Sequence, residues 1–173
     1  SIKNGAVRVN QEVNKEWGNV ETSYQRRNDL IGNLVKTVQG SADFEKSTLT
    51  AVMEARAQAT SIRIDPNNIT PEKLQEFQAA QAQVGGALGR LLAVAENYPQ
   101  LKAVESFNQL QAQLEGTENR ITESRRQYNE AAQEYNASRT KFPKVIFASI
   151  FGFPVKPYFE ADKGSEKAPE VKF

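Results

Sequence analysis

One apolar stripe at helical spacing constrains the fold of this chain more than any other feature. From residue 13 onward its positions alternate between four and three residues apart without a slip, which is the heptad pattern of packed helices. The stripe consists of Val13, Trp17, Val20, Tyr24, Arg27, Ile31, Leu34 and Val38. A helix with such a stripe must bury it against other helices, so the pattern predicts a coiled-coil-like helical bundle.

Three further segments repeat this periodicity, and no strand pattern or internal repeat competes with it. We predict helices at about residues 7–39, 42–62, 71–97 and 107–141. Because the connections between them are short, consecutive helices should run antiparallel. The predicted fold class is therefore all-α, an antiparallel four-helix bundle with long first and last helices.

Residues at the helix starts support these boundaries. Thr70 is a favourable N-cap, and Pro71 suits the first position of the third helix. Ser41 can cap the second helix. Ser106 and Gln109 have the Ser-x-x-Gln spacing of a capping box, which places the start of the fourth helix beside them.

The predicted helices differ in length, which leaves one end of the bundle without helical cover. At about 1.5 Å per residue the first and last helices run roughly 50 Å, and the second only about 30 Å. The side chains left uncovered are Val9, Val13, Trp17 and Tyr135. An apolar segment at 142–159 emerges at this same end. It can fold back and seal the gap, and it can rest on a membrane surface; the two roles are compatible.

The second role makes this segment a membrane-binding element. The side chains that would then contact lipid are Phe147, Ile150, Phe151 and Phe153. Residues 1–159 are expected to form one helical domain. Residues 160–173 are polar and carry Gly and Pro, so we expect a flexible tail there.

Composition removes most enzyme classes. The chain contains no cysteine and no histidine, which excludes thiolate and Ser-His-Asp nucleophiles and the usual zinc ligands. Its 22 basic and 21 acidic side chains leave a net charge of +1, so no general field would attract nucleic acid. We therefore expect no enzymatic activity, no catalytic residue, no metal site, no cofactor and no nucleic-acid partner.

Arg27 is a charged residue on the apolar stripe and needs a partner there. Pairing the antiparallel first and last helices places it opposite Asn119, next to Glu118. We predict an interhelical polar cluster in which Arg27 forms a salt bridge with Glu118, supported by Asn119 and joined by Asn33. Such a buried pair can determine the register of two helices. A ligand-binding role for Arg27, or its exposure through loose packing, are the alternatives.

Several segments of this sequence together resemble the LemA family, in the family's order, from Val13 to Phe159. They are "EWGNVETSYQRRNDLIGNLVKTVQG", "EKSTLTAVMEARA", "AVAENYPQLKA", "FNQLQAQLEGTENRITESRRQYNEAAQEYN" and "FPKVIFASIFGF". The chain departs from the family in its opening, where "NGAVRVN" replaces Tyr-Asn-x-Leu-Val. The resemblance implies a bacterial single-pass membrane protein with an N-terminal transmembrane helix and an extracytoplasmic helical domain. It implies no defined biochemical role.

If such an anchor precedes residue 1, the first helix leads away from the membrane. The end of the bundle near residues 40 and 96–107, called the far end below, then faces a partner. The candidate partner surface consists of Arg26, Asp29, Glu96, Tyr98, Gln100 and Lys102.

These expectations lead to three functional hypotheses. The first is a non-enzymatic scaffold or protein-interaction module that binds another membrane or envelope protein. The second is a lipid or membrane-surface module that uses residues 142–153. The third is the binding of a small ligand between the third and fourth helices, near Gly85 and Gly89.

Overall fold

The structure is a computed structural model that describes residues 2–41, 43–141 and 155–161. Most of the predicted apolar segment and tail, including all four candidate lipid contacts, lies outside the described residues. Within the described ranges the chain forms helices and no strand, so the predicted all-α class is confirmed. The helices are α1 (Ile2–Gln39), α2 (Lys46–Ser61), α3 (Pro71–Ala95), α4 (Pro99–Lys102) and α5 (Glu105–Lys141).

The long helices pack in pairs, α1 along α5 and α2 along α3. α1 begins at Ile2, earlier than the predicted residue 7, because Ala6 and Val9 continue its apolar stripe and are buried. α3 ends at Ala95, close to the predicted end at residue 97, and the short helix α4, which was not predicted, begins at Pro99. A proline has no backbone N–H to donate to the preceding turn, which accounts for this break.

Two of the predicted helix caps differ from the structure. α2 begins at Lys46 rather than at residue 42, since Phe44 packs its ring on Tyr98 at 4.7 Å before the helix starts. Ser41 therefore does not cap α2. α5 begins before Ser106, which excludes the predicted capping box. The α3 cap is confirmed: the Thr70 hydroxyl accepts a hydrogen bond from the backbone N–H of residue 73 at 3.1 Å.

The buried apolar side chains form two clusters, one at each end of the bundle. The far-end core contains the second half of α1, most of α2 and α3 and the start of α5. The near-end core contains the first half of α1, the start of α3 and the rest of α5, together with Phe159. Ile62, after the end of α2, packs against both clusters.

The near end is closed in the structure. All four residues that the helices alone would leave uncovered are 1% exposed or less: Val9, Val13, Trp17 and Tyr135. Two parts of the chain outside the helices enter this core. The loop between α2 and α3 contributes Ile64 and Ile69, and the segment 155–161 contributes Phe159.

Three buried tyrosines of the near-end core make this fold sensitive to alkaline pH. Burial raises the pKa of Tyr24 and Tyr128 above the usual tyrosine range. It also raises the pKa of Tyr135 to about 12, although the charge of Arg139 acts in the opposite direction. An unfolded chain ionises its tyrosines near pH 10. The stabilisation from holding them neutral is therefore complete below pH 10 and is lost as the pH rises towards 12.

We expect the free energy of unfolding to fall steeply between pH 10 and pH 12, measured by urea denaturation followed by circular dichroism. The free energy of unfolding of the Tyr135→Phe variant should fall less steeply, because the substitution removes one of the three ionisations. Burial lowers the pKa of Lys156. This lysine therefore makes the free energy of unfolding rise with pH, but only below the ordinary lysine pKa of 10.5. Superimposable pH profiles for the wild type and Tyr135→Phe would contradict the assignment.

Candidate functional site

Arg27 lies buried at the boundary between the two cores, with its guanidinium in a polar cluster. Its Nη1 donates to Glu118 Oε1 at 2.9 Å, so the salt bridge that the sequence predicts is present. Its Nη2 donates to the backbone oxygen of Gln81 at 2.7 Å and to Gln81 Oε1 at 3.0 Å. The guanidinium also lies 5.1 Å from the centre of the Tyr24 ring. One side chain thus connects α1, α3 and α5.

The other two predicted members are not part of this polar cluster. Asn119 is exposed, because a step of one residue along a helix turns the side chain by about 100° away from Glu118. Asn33 is also exposed, six positions from Arg27 and so on another face of α1. Gln81 takes their place. Its position on the stripe of α3, between Phe77 and Val84, is the sequence signal that could have identified it.

The geometry of Arg27 favours a structural role over ligand binding. Both terminal nitrogens already donate to protein acceptors, and the side chain is 3% exposed. Gly85 of α3 lies beside the guanidinium: a Cβ there would be 3.6 Å from Nη1, an ordinary van der Waals contact. This buried charge connects α1, α3 and α5, and we expect it to hold the three helices in one register.

The structure divides the predicted partner surface into two parts. On α3 and α4, Lys102 Nζ lies 2.8 Å from Glu96 Oε2 in an exposed pair. Beside them, the Tyr98 hydroxyl donates to the backbone oxygen of Asp43 at 3.0 Å. Tyr98 therefore ties the loop after α1 to the end of α3. Gln100 is exposed on α4.

On α1, the predicted residues Arg26 and Asp29 are both exposed. Asp29 Oδ1 accepts a hydrogen bond from Gln25 Nε2 at 2.9 Å, and the carboxylate borders an open groove between α1 and α2. This α1–α2 groove has a volume of about 500 Å³. Its polar and apolar lining includes Asp29, Asn33, Lys36, Gln39, Met53 and Arg56.

Two side chains of α2 give the α1–α2 groove its character, and the sequence analysis did not single out either. Met53 is 49% exposed, although it is a large apolar residue. Arg56 reaches across to α1, where a Cβ on Gly32 would lie 3.2 Å from its Nη2. Methionine side chains adapt to varied partners, and arginine is enriched at protein interfaces. The groove can therefore hold an apolar side chain beside a cation.

A second cleft, of about 560 Å³, lies between α2 and α3. It is lined mainly by small residues, including Gly86, and has Arg90 at its border. The ligand site suggested from sequence was between the third and fourth helices, and the cleft is on the other side of α3. Gly85 instead faces Arg27 of the polar cluster.

Two features of the described residues concern metal binding and membrane crossing. Among them, no group of three or more acidic side chains is arranged to hold a metal ion. None of the helices seen in these ranges combines the length and the apolar character that crossing a bilayer requires.

Comparisons with known proteins agree on one family. The model of the LemA family matches residues 16–173. Magnetosome protein MamQ 2 of Paramagnetospirillum magneticum is 30% identical over 91% of this chain and 64% of its own length. Magnetosome protein MamQ of Magnetospirillum gryphiswaldense is 28% identical over 90% and 64%. Protein LemA of Metamycoplasma hominis is 24% identical over 78% and 58%, so the chain spans less than two thirds of each relative.

Proposed function

The chain belongs to the LemA family, and from this premise we propose that it is a non-enzymatic protein-interaction module of a single-pass membrane protein. In this proposal the helical domain is extracytoplasmic and binds a second membrane or envelope protein. The resemblance to the family supports the anchor.

The observation that carries the proposal is the α1–α2 groove with its exposed methionine. Met53 is 49% exposed and lines the groove beside the cations, so its flexible apolar side chain is available to pack against an apolar side chain of a partner. The rim of the groove carries the cations Lys36 and Arg56 against the single acid Asp29. The complementary partner is therefore an apolar side chain flanked by acidic residues.

The helices on either side of the groove are held in place by other contacts. Arg27 connects α1 to α3 and α5, and α2 packs along α3. A groove with such fixed walls loses little conformational freedom when a partner binds. This is the property expected of a scaffold, whose binding surface should exist before the partner arrives.

Site-specific crosslinking in cells tests the proposal. A photoreactive amino acid is placed at Met53 or, as a control, at the exposed Asn119 of α5, in the full-length membrane protein. We expect a discrete adduct with one protein from position 53 and none from position 119. Charge reversal by Arg56→Glu should reduce the adduct about tenfold or more. The matched reversal Arg120→Glu, on exposed α5 surface, should leave it unchanged.

An equal adduct yield from both positions, or an adduct insensitive to Arg56→Glu, would contradict the proposal.

The lipid-binding hypothesis depends on Phe147, Ile150, Phe151 and Phe153, which lie outside the described residues. It stays a prediction from the sequence.

A further inference from the structure

Residues 155–161, called the strap below, lie extended along α5 and are held there by asparagine side chains. Asn136 Nδ2 donates to the backbone oxygen of Lys156 at 2.9 Å, and its Oδ1 accepts the Lys156 backbone N–H at 2.8 Å. Asn129 makes the same two hydrogen bonds with Phe159. Its Nδ2 donates to the backbone oxygen at 3.1 Å, and its Oδ1 accepts the backbone N–H at 2.8 Å. Each asparagine thus binds both backbone polar groups of one strap residue.

The spacing of these two asparagines matches an extended peptide. They lie seven residues apart on α5, which is about 10.5 Å along a helix. The residues they bind lie three apart on the strap, which is about 10 Å in an extended chain. Two successive strap contacts therefore fit two turns of helix without strain, with the peptide running antiparallel to α5.

Three more side chains complete the recognition of the strap backbone. Gln78 of α3 donates to the backbone oxygen of Glu160 at 2.6 Å and accepts its N–H at 3.2 Å. Arg125 Nη2 donates to this same oxygen at 2.6 Å. The Tyr128 hydroxyl donates to the backbone oxygen of Pro157 at 3.0 Å. All of these hydrogen bonds are made to backbone atoms of the strap, so they do not depend on the strap's own side chains.

Two strap side chains enter the protein, and they supply the selectivity. Lys156 is 3% exposed: its Nζ donates to the backbone oxygen of Pro66 at 3.3 Å and lies 4.9 Å from the centre of the Tyr135 ring. Phe159 is 5% exposed and stacks on Trp17, with 6.0 Å between ring centres. Tyr158, between them, is 44% exposed. The surface therefore accepts a lysine and, three residues later, a phenylalanine.

We propose that this surface between α3 and α5 is a binding site for extended peptides of the form Lys-x-x-Phe, with the strap as its resident ligand. Main-chain hydrogen bonds supply affinity and two side-chain pockets supply specificity, which is a general mode of peptide recognition. The site is distinct from the α1–α2 groove and does not depend on the function proposed for it. Its occupant is the strap of this chain, and a separate peptide of the same sequence is the probe of the site.

Trp17, the only tryptophan of the chain, reports whether the phenylalanine pocket is filled. The full chain is prepared with Phe159→Ala, which empties the pocket, and the emission of Trp17 should shift to the red. The probe is the acetylated, amidated peptide Val-Lys-Pro-Tyr-Phe-Glu-Ala, which contains no tryptophan. We expect it to restore the blue-shifted emission in a saturable manner.

Two altered peptides separate the two kinds of recognition. Replacing the peptide phenylalanine by alanine should weaken binding about tenfold or more, since the aromatic burial is lost. N-methylation of the backbone nitrogen of that phenylalanine removes the N–H that donates a hydrogen bond to Asn129 Oδ1. This change should weaken binding about fivefold or more. Adding Asn129→Ala to the Phe159→Ala chain should have a similar effect. Adding Asn119→Ala, on exposed α5 surface, should have none.

The proposal is overturned if a Phe159→Ala chain with wild-type helical circular dichroism shows no response to the peptide at millimolar concentration. It is equally overturned if the unmodified and N-methylated peptides bind alike. Should Phe159→Ala lower the helical signal, the same titration is made on Phe159→Leu, which keeps an apolar side chain in the pocket. Displacement of leucine by the phenylalanine peptide then supports the site, and no displacement overturns it.

Discussion

Glu118→Ala is expected to lower the free energy of unfolding by about 3 kcal/mol, because it leaves the buried guanidinium of Arg27 without its carboxylate. The remaining acceptors belong to Gln81 and are neutral. Glu118 is itself 24% exposed in its side chain, which places the effect at the lower end for a broken buried pair. Urea denaturation followed by circular dichroism measures it.

A double-mutant cycle shows whether the loss comes from the charge left behind. Arg27→Met removes the charge and keeps much of the volume, so the Arg27→Met/Glu118→Ala chain should be more stable than Glu118→Ala alone. Glu123→Ala breaks an exposed ion pair with Arg126 and should cause no measurable change. If Glu118→Ala is as mild as Glu123→Ala, the polar cluster does not hold the register of the helices.

Trp17→Ala is expected to lower the free energy of unfolding by about 3–5 kcal/mol. Trp17 is 1% exposed, and its ring lies 5.2 Å from that of Phe77 and 5.6 Å from that of Tyr128. The substitution leaves a cavity where α1, α3, α5 and the strap meet. No smaller side chain at position 17 can contact all of these rings together.

Met53→Ala is the matched control, because Met53 is large and apolar but half exposed. It should change the free energy of unfolding by no more than about 0.5 kcal/mol. Guanidinium denaturation of both variants, followed by circular dichroism, provides the comparison. A loss below about 1 kcal/mol for Trp17→Ala would show that the near-end core is not packed as described.

The heptad pattern predicts the helices and one tertiary contact well. Its regular spacing fixes which face of α1 is buried, and antiparallel pairing with α5 then places Arg27 opposite residues 118–119. The pattern cannot resolve a register to better than one residue, and one residue is about 100° of rotation. That is why Glu118 is in the polar cluster and Asn119 is exposed.

The closure of the near end could not be predicted in this way. The strap is extended and carries no helical periodicity, and its backbone is bonded by side chains such as Asn129 and Asn136. Both asparagines are ordinary exposed-face residues in the sequence of α5. Their seven-residue spacing is explained only by the path of the strap along α5, where it matches two strap residues three apart.

The candidate interaction surface was predicted in part. Asp29 belongs to the surface expected from sequence and borders the α1–α2 groove. Met53 and Arg56, which give the groove its chemistry, were missed because an exposed methionine and an inward core methionine look alike in a short amphipathic helix. Tyr98 proved to be a tether for the loop at Asp43.

The most direct test of the proposed interaction is the yield of the in-cell adduct at position 53 relative to position 119. We predict one discrete partner captured at position 53, at least about tenfold less of it with Arg56→Glu, and an unchanged yield with Arg120→Glu. Equal yields at positions 53 and 119, or equal responses to the two charge reversals, would contradict the assignment of the α1–α2 groove as the binding surface.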